Sequence, residues 1–407
     1  MSRIDDLIVE HCPRGVELKK LSEVGEFVRG GGLQKKDFVE QGFPCIHYGQ
    51  IYTFYGTSAS TTKSFVAPDL AARLKHAETG DLVITTTSEN IADVCTAVAW
   101  LGEGTIAIGG HSCVYKHTLD PMYVAYYFQT EQFEIQKRKF VTGTKVKDIK
   151  VTDIGRIEIP VPPLAIQREI VSILDKMESL KAELEAELDL RSRQHKFYWN
   201  ALLTPGDGWR RTALGQIAAI FDGPHATPKK TESGPWYLSI SSLKSGRFDL
   251  ASSAHLSADQ FGTWTRRVSP NVGDTLFSYE TRLGQAAFWA VDEPAALGRR
   301  MGLLRPKAPD VYPPFLTLAY LGPEFQALIR AKTVSGATVD RIPIADMSSW
   351  EISVPPLAEQ HRIVKILDKF DTLANDLSIG LPAEIAARRQ QYEYYRDRLL
   401  TFDKAVA

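Results

Sequence analysis

The sequence predicts an α+β chain in which two mixed α/β domains alternate with two long helices that pair as an antiparallel coiled coil. Three observations support this prediction. A block of sixteen residues occurs twice, at 161–176 and 354–369, with twelve identical positions. Weaker matches recur at the same offset along the rest of the chain. After each block, apolar residues have the spacing of a coiled-coil seam. Together these features predict an internal pseudo-twofold repeat.

The repeat organises the whole chain. Its two blocks read VPPLAIQREIVSILDK and VPPLAEQHRIVKILDK and lie 193 residues apart. The same offset pairs Gly143 with Gly336, Gly80-Asp81 with Gly273-Asp274, Leu21 with Leu214, and Gly30 with Gly223. A period this long predicts tandem domains and not a solenoid. The predicted segments are domain 1 at residues 1–155, a central helical spacer at 156–204, domain 2 at 205–349, and a C-terminal helical spacer at 350–407.

Each domain is predicted to be built from short strands. Residues 81–86 read Asp-Leu-Val-Ile-Thr-Thr, and residues 350–354 read Trp-Glu-Ile-Ser-Val. Short apolar runs bounded by Gly, Pro and Asp are typical of strands in a mixed domain.

Each spacer is predicted to contain a long helix. The first runs from about Leu164 to Leu203, between Pro162-Pro163 and Pro205-Gly206. Proline suits a helix start, because a helix leaves its first N–H groups without internal partners. The second helix is predicted to break near Gly380-Leu-Pro382, since proline cannot continue the hydrogen-bond ladder, and to resume through Arg388–Leu400.

The apolar positions of both helices step by three and four residues, as in a coiled coil. The predicted pairing residues are Ile170, Ile173, Met177, Leu180 and Leu184 in the first helix, and Ile363, Ile366, Phe370, Leu373 and Leu377 in the second. Two such helices in one chain most simply pack on each other. The alternative is that each stripe covers its own domain. The length of the first helix, about 40 residues against a usual 11–12, favours pairing.

Composition indicates a soluble, cytoplasmic protein. The 407 residues carry 48 Lys and Arg against 49 Asp and Glu, a net charge of −1. No apolar run approaches the length needed to cross a bilayer, and the N-terminal residues lack the pattern of a secretory signal. The four cysteines all lie in the first half and form no CxxC motif, which argues against a disulfide framework and for a reducing compartment.

Few residues suggest chemistry. The chain has no GxxxxGK[ST] phosphate loop, and the glycine run at 30–32 is not a GxGxxG motif. Tyr312-Pro-Pro-Phe315 has Tyr where an amino-methyltransferase motif needs Asp or Asn. Cys45/His47 and His111/Cys113 have metal-ligand residue types but no second pair at a usual zinc spacing, and they are interpreted as core residues. We therefore expect no catalytic residue, no metal and no cofactor in this chain.

Local charge points to nucleic acid, because basic clusters recur at matching places in the two repeats. Residues 136–150, QKRKFVTGTKVKDIK, hold six Lys or Arg against one Asp. A solvated face is the alternative for any single pair. The candidate DNA-binding residues are Lys35, Lys36, Lys137, Arg138, Lys139, Thr144, Lys145, Lys147, Lys229, Lys230, Arg266, Arg267, Arg299, Arg300 and Arg341.

The repeated sequence resembles that of the specificity (S) subunit of type I restriction-modification systems. The likeness is carried by Val161-Pro-Pro-Leu-Ala-Ile-Gln167 and Val354-Pro-Pro-Leu-Ala-Glu-Gln360, by the segments around Gly143 and Gly336, and by Cys12-Pro-Arg-Gly-Val-Glu-Leu-Lys-Lys-Leu21. At position 166 this sequence has Ile where the family motif usually has Glu, and the second copy keeps that residue as Glu359. The likeness covers the whole chain in architecture, but in sequence it is strong only at the two helix starts.

The resemblance implies a non-catalytic reader of double-stranded DNA. Each domain would be a target-recognition domain for one half of a bipartite, asymmetric site, and the helices would space the two halves. Two methyltransferase (M) subunits and restriction/translocase (R) subunits would be partners, and they would bind the S-adenosylmethionine, ATP and Mg. No membrane partner is expected.

Other functions stay open at this point. The chain could serve a fused nuclease-methyltransferase, or act as a coiled-coil scaffold that does not touch DNA. A catalytic methyltransferase or nuclease would need motifs that the sequence lacks. The recognised DNA sequence, its spacer length and the residues that contact bases cannot be read from the chain.

Overall fold

The computed structural model describes residues 3–244, 246–336, 339–375 and 380–402. These residues form two compact units. Unit 1 contains the residues up to 185 together with those from 384 onward, and unit 2 contains residues 186–383. Each unit thus joins one predicted domain to parts of the spacer helices.

Unit 1 alternates short helices with strands. Its helices are α1 (Arg3–His11), α2 (Leu21–Val24), α3 (Tyr48–Ile51), α4 (Pro68–Ala71), α5 (Pro121–Tyr127), α6 (Glu131–Lys137) and α7 (Val151–Ile154). Its strands are β1 (Leu18–Lys20), β2 (Gly25–Arg29), β3 (Phe38–Val39), β4 (Phe43–Ile46), β5 (Ser58–Ala59), β6 (Ser64–Val66), β7 (Lys75–Ala77), β8 (Leu82–Thr85), β9 (Thr87–Ser88), β10 (Ala97–Trp100), β11 (Ile106–Ile108), β12 (Ser112–His117), β13 (Lys147–Asp148) and β14 (Glu158–Pro160).

The long helix α8 (Leu164–Leu203) comes after the strands of unit 1 and continues into unit 2. Unit 2 then contains the helices α9 (Leu214–Ile217), α10 (Ala258–Trp264), α11 (Pro313–Leu321), α12 (Pro323–Lys332) and α13 (Leu357–Asn375). Its strands are β15 (Arg210–Ala213), β16 (Ala218–Asp222), β17 (Thr231–Leu238), β18 (Leu243–Lys244), β19 (Arg247–Phe248), β20 (Ala254–His255), β21 (Thr275–Ser278), β22 (Ala286–Phe288), β23 (Ala295–Leu297), β24 (Met301–Pro306) and β25 (Glu351–Val354). The final helix is α14 (Leu381–Leu399).

The main sheet of unit 1 has the strand order β2-β12-β8-β10-β5, and a second sheet has the order β3-β6-β4-β11-β7. Every residue of β8 and β10 is buried. Leu82 and Ile84 pack among the helices, whereas Val83 and Val98 pack toward the second sheet. Because both faces of β8 are covered, its sequence is a continuous apolar run and not an alternating one.

The main sheet of unit 2 repeats this topology. Its order is β16-β24-β21-β22, which matches β2-β12-β8-β10 strand for strand. The smaller elements repeat as well. The antiparallel pair β1–β14 corresponds to β15–β25, and the parallel pair β4–β11 corresponds to β17–β23. The internal repeat predicted from the sequence is therefore confirmed as a repeat of strand order and pairing direction.

The first spacer helix agrees with the sequence in its bounds, whereas the helix after the predicted break begins at Leu381, earlier than the predicted segment Arg388–Leu400. Helix α8 begins and ends at the predicted residues, Leu164 and Leu203. Helix α13 ends at Asn375, and α14 begins at Leu381 with Pro382 in its first turn. Residues 376–379 of the predicted break lie outside the described residues. Among the helices that the structure describes, none is long and apolar enough to span a bilayer.

Candidate nucleic-acid interface

One end of unit 1's main sheet carries a set of loops, here called loop cluster 1 (residues 30–37, 47–52, 86–95, 109–111 and 142–150). Three backbone hydrogen bonds frame it. Gly30 N donates to Ser112 O at 2.9 Å, Thr86 N donates to His111 O at 2.8 Å, and Ile149 N donates to Thr86 O at 3.0 Å. These bonds bring segments from distant parts of the sequence to the same edge.

Unit 2 carries a matching set, loop cluster 2 (residues 222–230, 264–268, 279–285, 298–300, 334–336 and 339–341). The same three backbone bonds frame it. Gly223 N donates to Met301 O at 2.8 Å, Tyr279 N donates to Arg300 O at 3.2 Å, and Ile342 N donates to Tyr279 O at 2.8 Å. The frame is thus common to both units, whereas the side chains that it carries differ.

The glycine in each basic loop has a steric reason. Gly143 has a φ of +95°, and a Cβ there would lie 2.0 Å from the carbonyl oxygen of Val146. A Cβ on Gly336 would lie 2.3 Å from the carbonyl oxygen of Val339. Only glycine fits such close backbone approaches without a shift, so the sequence match reflects the same steric requirement at both positions.

In loop cluster 1, most of the candidate cations are accessible. Lys35, Lys36, Arg138, Lys139, Thr144 and Lys145 are exposed, and Arg138 and Lys139 flank the cluster at the end of α6. Lys147 is half-buried, and its ammonium donates to Gly143 O at 2.9 Å. Arg138 pairs with Glu134 at 3.6 Å, but an ion pair of such an exposed side chain is weak and would compete little with a phosphate oxygen.

Lys137 is the exception, because the structure shows that its prediction as a DNA-binding residue is wrong. Its side chain is buried, with a relative exposure of 1%. The ammonium donates to Val94 O at 2.9 Å and also contacts the Glu134 carboxylate. A buried ammonium needs such partners, since leaving it unpaired would be costly. Lys137 therefore ties α6 to the loop at 92–94 and is not available to a phosphate.

In loop cluster 2, the candidate residues Lys229, Lys230, Arg266, Arg267, Arg299 and Arg341 are exposed. Arg267 pairs with Asp222, and half-buried Arg300 pairs with Glu280 at 2.8 Å. The Lys230 ammonium lies 5.8 Å from the ring centroid of Tyr237. Carboxylates thus balance some of the candidate cations of this unit.

Sequence reasoning missed a polar and aromatic group in loop cluster 1. The rings of Tyr48 and His111 lie 5.1 Å apart, and those of His47 and Tyr48 lie 4.5 Å apart. Burial, and after it the positive charge of Lys35 and His111, lowers the pKa of His47, so its neutral form is favoured. Side chains of this kind can offer donors and acceptors to base edges.

A second missed feature is the turn that holds His111. Non-glycine residues rarely adopt positive φ, yet His111 has a φ of 64° and its counterpart Arg300 has a φ of 69°. His111 and Arg300 are 189 residues apart, which is four fewer than the 193 residues between the repeated blocks. That shift hid the match in the sequence. The strained turn aims a different side chain in each unit.

The predicted seam residues lie on paired helices, with partners that the sequence did not identify. In unit 1, Ile173, Met177 and Leu180 line a groove with Arg388, Gln391 and Tyr395 of α14. Ile170 is buried in the domain core and Leu184 is half-buried. The first seam therefore faces α14 and its own domain.

The second seam faces its own domain and the last part of α8. Ile363 is buried in the core of unit 2 and Ile366 is half-buried. Phe370 stacks on Tyr198 with ring centroids 5.1 Å apart. Leu377 and the side chain of Leu373 lie outside the described residues. Helix α8 thus contacts α14 through Glu178 and Tyr392 in unit 1, and it contacts α13 through Tyr198 and Phe370 in unit 2.

Comparison with known proteins identifies relatives of one kind. The family model described as "Type I restriction modification DNA specificity domain" matches residues 13–190 and 268–387. The chain is 33% identical over 296 residues to the Escherichia coli type I restriction enzyme EcoR124I/EcoR124II specificity subunit, covering 69% of this chain and 71% of that protein.

Solved structures show the same fold. The S subunit of a type I restriction-modification system from M. genitalium matches with a TM-score of 0.53 and 13% identity, over 94% of this chain and 96% of that one. A chain from a structural study of the assembly of a type I R-M system matches with a TM-score of 0.60 and 20% identity, over 95% and 98%.

Proposed function

Because this chain belongs to the type I restriction-modification DNA specificity family, we propose that it is the sequence-reading subunit of a type I complex. Loop cluster 1 contacts one half of a bipartite, asymmetric DNA site, and loop cluster 2 contacts the other half. The observation that carries this proposal is the shared frame. Three matching backbone hydrogen bonds hold the two clusters, but His111 in one corresponds to Arg300 in the other.

The frame and the side chains have separate roles in this proposal. A common backbone geometry lets both units approach a duplex in the same way, because contacts to the phosphates fix register without reading sequence. Exposed cations such as Lys35, Arg138 and Arg299 supply those contacts. Different donors and acceptors on the two frames then read different bases. This explains how two similar units recognise an asymmetric site.

The helices supply the spacing between the two half-sites. Helix α8 is continuous from Leu164 to Leu203 and pairs with α13 and α14. A stiff helical connection links the two readers, and linking two weak binders raises their joint affinity through effective concentration.

The catalytic work belongs to partner subunits. Two methyltransferase subunits dock on the two similar units, since a repeated surface can accept two copies of one partner. Restriction/translocase subunits complete the complex. S-adenosylmethionine, ATP and Mg bind to those partners and not to this chain, which is itself non-catalytic. The complex acts in the cytoplasm, where the free Cys12, Cys45, Cys95 and Cys113 stay reduced.

A domain exchange tests the proposal in the assembled complex. Residues ~15–150 are replaced by the equivalent domain of a relative, the complex is expressed with its methyltransferase, and the methylome is sequenced. One half of the modified site should change and the other should stay.

The matched exchange of the second domain should give the reciprocal result. A change in both halves after one exchange would contradict separate reading. Absence of any bipartite modified sequence, together with absence of DNA binding, would support a scaffold function instead.

A further inference from the structure

Arg300 lies in the turn between β23 and β24, within loop cluster 2. Met301 N donates to Gly298 O at 3.2 Å and closes this turn, and Arg300 within it has a φ of 69°. Glycine adopts a positive φ at no steric cost, whereas a residue with a long side chain does not. Residues held in such conformations cluster at functional sites. The strain therefore indicates that the arginine side chain itself has a use at this position.

Two side chains hold the Arg300 guanidinium in place. Its Nε lies 2.8 Å from Glu280 Oε2, and its Nη1 donates to Thr281 Oγ1 at 3.2 Å. Both partners come from the loop that follows β21, so one loop of the cluster orients a side chain of another. The Arg300 side chain is still 31% exposed, so a macromolecule can reach it.

The held guanidinium keeps donors for a ligand. A guanidinium carries five N–H groups in a rigid plane. Thr281 accepts from one of them, and the Glu280 carboxylate lies beside another. Within the described part of the chain, Nη2 makes no hydrogen bond. Nη1 and Nη2 together form a fork of two donors, and such a fork matches the O6 and N7 acceptors of guanine in the major groove.

A phosphate contact would not need this arrangement. Phosphates attract positive charge from any direction, and the carboxylate of Glu280 offsets the charge of Arg300 and would itself repel a phosphate. The neighbouring Arg299 is exposed and suits a phosphate contact better. What the pairing with Glu280 preserves in Arg300 is the direction of its donors, and direction is what distinguishes one base edge from another.

We propose that Arg300 reads a guanine in the half-site that loop cluster 2 contacts, through a bidentate hydrogen bond to O6 and N7. Glu280 and Thr281 are positioning residues, because they orient the guanidinium before DNA binds. This inference rests on the proposed function and adds to it one base and the residue that reads it. The matching turn of unit 1 presents His111, whose imidazole has no such fork, so the other half-site needs no guanine at the matching place.

The test uses the chain assembled with its methyltransferase, and the domain exchange described above assigns the half-site of unit 2. Arg300→Gly removes the guanidinium and suits the positive φ of the turn, so the variant should fold. In its methylome, one G·C pair of that half-site should become degenerate while the other positions stay. In competition binding, the preference for this G·C pair should fall by about 5- to 100-fold, which is the discrimination that one bidentate contact provides.

Two further variants separate base reading from a charge effect. Arg299→Ala is the matched control from the same turn, and it should weaken binding to all sequences alike, flatten the log–log salt slope by up to about 0.9 and leave the modified sequence unchanged. Glu280→Ala keeps the guanidinium but releases it. The preference for the G·C pair should then fall, whereas the salt slope should not flatten, because a cation has lost its carboxylate.

The outcomes that contradict the proposal are distinct. A modified half-site of unit 2 without any G·C pair would overturn it, as would an Arg300→Gly complex with an unchanged modified sequence and unchanged preference. If Arg300→Gly fails to fold, Glu280→Ala decides, and an unchanged preference in that variant overturns the proposal. Failure of the proposed function looks different: the wild-type complex then shows neither DNA binding nor a bipartite modified sequence, and this inference falls with it.

Discussion

Replacing Lys137 with Met separates a structural lysine from a DNA-contacting one. The ammonium donates to Val94 O at 2.9 Å and to Ala92 O at 3.4 Å, and it pairs with Glu134. Met preserves most of the apolar stem but removes the ammonium donor from the two carbonyl oxygens and from Glu134, which keeps only its longer contact with Arg138. A hydrogen bond of a charged group contributes about 1.5–3 kcal/mol, and an unsatisfied buried acceptor costs about 1–3 kcal/mol. Allowing for the apolar burial of Met, we expect a net loss of about 3 kcal/mol.

Thermal denaturation of the full chain measures this loss. For a unit of this size, each kcal/mol corresponds to about 2–4 °C, so the transition of unit 1 should fall by about 10 °C. The salt dependence of DNA binding should stay unchanged at temperatures where the variant is folded, because Lys137 reaches no phosphate. Fluorescence anisotropy over a series of salt concentrations gives that slope.

Arg138→Ala combined with Lys139→Ala is the matched control, since both residues are exposed neighbours of Lys137. Arg138 pairs with Glu134 at 3.6 Å, but an exposed ion pair contributes at most about 1 kcal/mol. The double variant should therefore melt close to the wild type and lose up to about 0.9 of log–log salt slope per phosphate contact. A Lys137→Met variant that melts like the wild type and flattens the salt slope would refute this reasoning.

Three further outcomes are expected. The purified chain alone should transfer no methyl group from labelled S-adenosylmethionine and cut no DNA; transfer that survives removal of any co-purified methyltransferase would contradict a non-catalytic role. Tyr126→Phe should lower the stability of unit 1 by about 1.5–3 kcal/mol, because the buried Tyr126 hydroxyl donates to Asp175 Oδ1 at 2.6 Å. Glu178 keeps its donors Thr57 and Tyr392 in this variant, and an unchanged melting curve would show that water replaces the lost donor to Asp175. Four residues inserted after Leu188 should lengthen α8 by about 6 Å and rotate the rest of the helix by about 40°. Methylome sequencing should then find intact half-sites separated by one or two additional base pairs, at about 3.4 Å each. An unchanged gap with full activity would exclude the helix as the spacer.

The helices were the most predictable part of the fold. The sequence places prolines on both sides of residues 164–203, and the apolar steps of three and four residues specify a helix between them. Both signals are local, so they predict the helix without knowledge of the rest of the chain. The partner of each apolar stripe was not predictable, because periodicity shows that a face is buried but not what covers it. In the structure Met177 meets α14, and Phe370 meets Tyr198.

The candidate interface was predictable in composition but not in detail. The basic loops around Gly143 and Gly336 were found because glycine is required there sterically. Lys137 was misjudged because a charge cluster in a sequence does not distinguish an exposed lysine from a buried one. One signal was available. In the register that matches α5 with α11, Lys137 corresponds to Ile329, an apolar residue that is also buried.

The repeated frame also separates the stability of the fold from its DNA specificity. Its bonds join backbone atoms, as between Thr86 N and His111 O or between Tyr279 N and Arg300 O, and such bonds form with almost any side chain. Substitutions of exposed loop residues therefore change the groups offered to DNA at little cost to folding, since surface changes usually alter stability by less than about 0.5 kcal/mol. The turn glycine Gly143 has no such freedom, because a Cβ there would collide with a backbone carbonyl. A chain built in this way can acquire a new half-site through its loops while the sheet, the helices and their pairing stay as they are.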